Sequence, residues 1–105
     1  MQETNLDLVG EINKEMQKIQ MSPELIDKYQ ATPYYHTASV CSTTGDVMMQ
    51  KTYLTLALSR VLTGGEFVVP SQIRLGLNMA NTVEHWLQDV KLIVIPFMKA
   101  NEGSF

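Results

Sequence analysis

A chain of 105 residues is the size of one domain and too short for two. With 45% hydrophobic and 18% charged residues it lies outside the disordered range. Net charge is −3, and the eight cations (Lys14, Lys18, Lys28, Lys51, Arg60, Arg74, Lys91, Lys99) form no run, which argues against a binder of the phosphate backbone.

The single cysteine, Cys41, excludes an internal disulfide. Polar residues follow Met1 where a secretory signal would be apolar. The longest strongly apolar run, Leu92 to Ile95, is far too short to cross a bilayer. These features predict a cytoplasmic chain with no membrane association. Seven methionines suit either an irregular core or an adaptable contact surface, and the core is the simpler assignment.

A first helix is predicted over about 5–20. Val9, Ile12, Met16 and Ile19 recur at spacings of three, four and three, which lines one face. Thr4 is its expected N-cap, with Asp7 favouring the first turn. Gly10 weakens that turn by about 1 kcal/mol relative to alanine. So short an apolar stripe must pack on something else.

Ser22-Pro23-Glu24 opens a second helix, to about Gln30: serine caps, proline suits the first helical position and glutamate complements the dipole. Pro33 then disfavours helical backbone at Thr32. The stretch 34–46, rich in Ser and Thr, reads as a loop with a short extended piece at 36–40. A third helix follows over 46–62, capped by Asp46 and stopped by Thr63-Gly64-Gly65. Glu66 to Val69 reads as a short strand, 70–90 as a fourth helix, and the β-branched run ending before Pro96 as a second strand at 91–95. The fold expected is mainly α: a small four-helix domain, 1–105, with a minor β element at 66–69 and 91–95. The rival assignment extends the fourth helix through Ile95 and gives an all-helical bundle.

Few residues point to chemistry. Cys41 has His36 five residues before it and His85 far along the chain, but no nucleophile turn. One cysteine and two histidines supply no paired metal-ligand motif. Gly64-Gly65 lacks the spacing and the Lys-Ser/Thr of a phosphate loop. No catalysis, metal or cofactor is expected.

As one continuous helix, 70–90 gathers Ile73, Leu75, Leu77, Met79, Ala80, Val83, Trp86, Leu87 and Val90 on one wide core arc, with Glu84 the one intruder. Arg74, Asn78, Asn81 and His85, spaced four, three and four, form a polar stripe without an acid. That stripe suits an anionic small ligand, with Tyr34 and Tyr35 as an aromatic platform; a solvated face is the plainer alternative. The same region resembles a helix-turn-helix only superficially. Its first helix would be cut short at Gly76, Glu84 and His85 stand where Arg or Lys belong, and one helix accounts for the whole pattern. Nucleic acid is therefore not the expected partner.

The third helix gathers Val47, Tyr53, Leu54, Ala57, Leu58, Val61 and Leu62 on one arc, with Met49 and Leu56 nearly opposite. Apolar residues on both sides predict a homo-oligomer contact at Met49 and Leu56, unless the first helix folds over them. The leading functional expectation is a small non-enzymatic binding or regulatory protein acting through protein–protein contacts. A small-ligand or nucleotide binder using the polar stripe comes second, and a DNA-binding regulator third.

Overall fold

Short polar side chains, each accepting from the amide three residues further along, start five of the helices described. The computed structural model describes residues 6–64 and 68–105. Helix α1 (Leu8–Lys18) starts at Asp7, whose Oδ1 accepts from the Gly10 amide at 2.9 Å. A Cβ on residue 10 would collide with that carboxylate, so Gly10 makes room for the cap. The expected cap Thr4 lies outside the described residues.

Ser22 caps α2 (Pro23–Gln30), and Thr32 caps α3 (Pro33–Thr44) through an Oγ1 that accepts from the Tyr35 amide at 3.1 Å. Asp46 Oδ1 accepts from Met49 N–H at the start of α4 (Val47–Gly64). After α5 (Ser71–Gly76), Thr82 caps α6 (Val83–Asp89). Helix α6 runs without interruption into a π turn (Val90–Val94) and α7 (Ile95–Ala100), and a 3-10 turn follows at Glu102–Ser104.

The chain is thus mainly helical, and the minor β element fails. No strand occurs among the described residues. In the stretch 66–69, Glu66 and Phe67 lie outside the described residues, and Val68 and Val69 have no regular structure. The predicted strand 91–95 is helical, as the rival assignment has it. Pro96 has no N–H for the Leu92 carbonyl and its ring crowds that group. The turn before it is wide, with Ile95 N–H bonded five residues back to Val90 O.

Two further expectations are overturned. The stretch 34–46 is helix α3 up to Thr44, with Gly45 in the left-handed conformation (φ 78°) that lets the chain reverse into α4. Its hydroxyls turn inward onto carbonyls of their own helix: Thr37 to Pro33 at 3.2 Å, Ser39 to Tyr35 at 3.1 Å, Thr43 to Val40 at 2.7 Å. The predicted helix 70–90 is broken between Gly76 and Val83. Asn78 Oδ1 accepts from Ala80 N–H at 2.8 Å, a local turn that competes with helix, and Thr82 then restarts it.

The core draws on every helix: Leu8, Ile12 and Met16 from α1, Leu25 and Tyr29 from α2, Ala38 from α3, Leu54 and Leu58 from α4, Ile73 from α5, Trp86, Val90, Val94 and Met98 beyond. Met16, Met21 and Met98 are buried, and Met48, Met49 and Met79 are exposed. Helix α4 also buries three polar side chains. Gln50 Oε1 accepts from the Leu8 and Val9 amides at 2.8 and 3.3 Å, and its Nε2 donates to Leu6 O at 3.2 Å. Lys51 Nζ donates to Met79 O. Thr55 Oγ1 accepts from Trp86 Nε1–H at 2.8 Å.

A clasp closes the far end. Lys99 Nζ donates to Gln20 O at 2.8 Å, where the chain leaves α1 with φ 57° at Gln20. Glu102 accepts from Ser22 N–H and from Lys99 at 3.2 Å. The Ser22 amide, and after it Lys99, hold the Glu102 carboxyl below the usual carboxylate range.

Tyr29 is the counter-case to Thr55. Its ring meets Tyr35 edge-on at 5.0 Å, yet its buried hydroxyl has no hydrogen-bond partner among the described residues. Burial, then the neighbouring Tyr35, pushes its pKa far up. A paired and an unpaired buried hydroxyl should respond oppositely to removal. Thr55→Val should cost about 1–3 kcal/mol by orphaning the indole N–H, while Tyr29→Phe should leave stability within about 1 kcal/mol of the parent or raise it. Urea denaturation of both variants checks the contrast, and equal losses would contradict it.

Candidate functional site

The break at 77–82 scatters the polar stripe. Arg74 is exposed on α5, Asn78 and Asn81 belong to the turn, and His85 is exposed on α6. Asn78 is occupied with the Ala80 amide, and Asn81 Nδ2 donates to Leu75 O at 3.4 Å. His85 Nε2 lies 3.4 Å from Asp89 Oδ2. Two of the four therefore build the turn, and one faces an acid on its own helix. Tyr34 and Tyr35 are half-buried at the start of α3, and Tyr35 Oη accepts from Asn13 Nδ2 at 2.9 Å. Among the described residues, no hydrogen bond or ion pair joins either tyrosine to Arg74, Asn78, Asn81 or His85.

Arg74 keeps an interest of its own. It stands at the rim of a cleft of about 390 Å³ between the end of α4 and α5. Buried Leu62, Val69, Ile73 and Leu77 form the walls, and Ser59 and Thr63 share the rim. The Thr63 hydroxyl donates to Ser59 O at 2.8 Å. A second cleft, of about 360 Å³, carries Lys28 and Arg60 beside Thr32, Pro33 and Phe105. A third, of about 380 Å³, runs along α6 and the π turn between Glu84, Leu87, Gln88, Lys91 and Leu92. Lys91 Nζ there lies 3.4 Å from Glu11 Oε1 of α1.

Among the described residues large apolar side chains reach solvent in four places, one of them Val68 in the segment before α5, at 86% exposure. Val40, Met48 and Met49 flank the turn from α3 to α4, at 50%, 56% and 38% exposure. Leu75 and Met79 flank the turn from α5 to α6, and Leu92 stands on the π turn. Of the two residues expected at an oligomer contact, Met49 is exposed and Leu56 half-buried. Helix α1 buries its own stripe, Val9, Ile12 and Met16, in the core.

The groove along α6 has a faint signature in the sequence. Its residues recur at three, four, seven and eight positions from Glu84, a helical stripe that shows only if 91–95 is read as helix. The grounds for setting aside a helix-turn-helix also change. One continuous helix is no longer among them, since α5 and α6 are separate. The connection spans Leu77 to Thr82 and is longer than the usual three or four residues, and α6 still presents Glu84 and His85.

Among the described residues no group of three His, Cys, Asp or Glu side chains is placed to hold a metal ion. No described helix is long and apolar enough to cross a membrane. The chain matches no known protein family, no curated protein and no solved structure.

Proposed function

We propose that this protein is a non-enzymatic binding module that works through protein–protein contact. The observation that carries the proposal is the exposure of Val40, Met48 and Met49 around one turn. Single exposed apolar residues are ordinary, but grouped ones mark contact surfaces. Methionine suits such a surface, because its flexible side chain adapts to the shape it meets. The turn they flank is shaped by the Gly45 reversal and the Asp46 cap, which set where the three side chains emerge. Chemical cross-linking of the tagged protein in an extract of its source cells tests this. The expected outcome is a discrete species cross-linked to another chain that the double substitution Met48→Glu/Met49→Glu removes. A protein that stays uncross-linked would contradict the proposal.

The cleft at Arg74 supports a second reading, a binder of small anions with an apolar body. Its walls are aliphatic, its rim carries a guanidinium, and its volume falls in the range of small-molecule sites. Octanoate is a suitable probe. It should raise the melting temperature of the wild type and not of Arg74→Ala, while neutral octanol should act equally on both. Octanoate without effect on the wild type would rule this reading out.

A further inference from the structure

We infer that the groove along α6 and the π turn is a self-association surface, and that its occupant is the same groove on a second copy of this chain. The inference rests on the reading of the protein as a contact module and adds a second surface, besides the Met48–Met49 group, with its own partner.

The groove carries opposite charges at two positions, with one apolar and one polar side chain between them. Glu84 lies near one end, Lys91 near the other, and Leu87, Gln88 and Leu92 fill the remainder. Leu92 is 66% exposed, a large apolar side chain left in water on the outer side of a helix. Glu84 makes no ion pair among the described residues. Lys91 reaches only Glu11, at 3.4 Å, with both side chains about one-third exposed.

Such an order of residues is complementary to itself. In a two-fold pair of antiparallel helices, residue numbers of facing side chains sum to a constant. An axis passing between Leu87 and Gln88 places Glu84 of each copy opposite Lys91 of the other. It also places Leu92 opposite Val83, which is half-buried at the first turn of α6. Leu87 then lies beside Gln88 across the axis. One geometry thus sets opposite charges together at both ends and covers the exposed Leu92 of each copy. The parallel arrangement would set Glu84 against Glu84 and Lys91 against Lys91, a repulsive alternative.

A single helix contact buries less than the roughly 1,200 Å² of a stable, specific interface. The association is therefore weak and reversible. Because two of its contacts are ion pairs at a rim, it also weakens as salt rises.

Sedimentation equilibrium of the full chain, up to about 1 mM and at low and high salt, tests the inference. The wild type should dimerise reversibly at low salt and less at high salt. Glu84→Lys alone and Lys91→Glu alone should each weaken self-association by about tenfold or more, since each sets like charges face to face. An equimolar mixture of the two variants should recover association to within about threefold of the wild type, because both cross-copy pairs are then opposite in sign. Leu92→Asp should abolish dimerisation without charge rescue. A wild type monomeric at about 1 mM would overturn the inference and leave protein contact to a different partner. A dimer indifferent to Glu84→Lys and Leu92→Asp, or a mixture no better than its parts, would overturn it as well.

Discussion

The carboxamide of Gln50 is buried on the longest helix of the molecule, and both its oxygen and its nitrogen bond to one short stretch of chain, Leu6 to Val9. The first amides of any helix lack partners within it. Here Gln50 Oε1 takes the first two of α1, Asp7 takes the third, and the Glu11 amide begins the regular ladder on Asp7 O. Each amide from Leu8 to Glu11 is thereby bonded, those of Leu8 and Val9 in the interior. Leu8, Ile12 and Met16 can be completely enclosed with no amide left unsatisfied.

The same helix repeats this device on another side. Lys51 and Thr55 are also buried, and each reaches a different segment: Lys51 the turn after α5, Thr55 the indole of α6. An unbonded polar group in these places would cost several kcal/mol, so the three side chains admit few relative placements of α1, the 77–82 turn and α6. Apolar packing supplies the bulk of the driving force, and these bonds select among packings of similar area. The surface features depend on that choice. Met79 is exposed on a turn whose carbonyl is tied to α4, and α6 carries its groove outward because Trp86 is anchored inward.

Legibility in the sequence follows how strongly each element declares itself in local terms. Helices α1, α2 and α4 combine an apolar period with a polar cap, and Ser22-Pro23 and Asp46 act as their residue types dictate. Thr32-Pro33 repeats the Ser22-Pro23 signal, but α3 buries little besides Ala38 and lacks an apolar stripe, so its hydroxyls mask it as loop. Their bonds to the helix's own carbonyls are visible only once the helix exists. The run from Val90 to Val94 is β-branched enough to pass for strand; tertiary packing of Val90 and Val94 overrides that propensity. The break after Gly76 hides for the opposite reason, since an unbroken wheel through 70–90 is internally consistent. Arg74 and His85 do lie at the surface, but their grouping depends on that wheel. The buried roles of Gln50, Lys51 and Thr55 have no local signal, because polar residues on a helix are ordinarily solvated.

Native-state hydrogen exchange at the Leu8 and Val9 amides reaches the centre of this account. Amides in the first turn of a helix ordinarily exchange almost as freely as an unfolded chain, because they have no helical acceptor. If Gln50 holds them as described, both should exchange as slowly as the amides of Leu54 and Leu58 in the middle of α4, through global unfolding alone. Exchange of Leu8 and Val9 near the rate of a free peptide, with Leu54 and Leu58 protected, would show that α1 frays at this end and that Gln50 does not organise the fold.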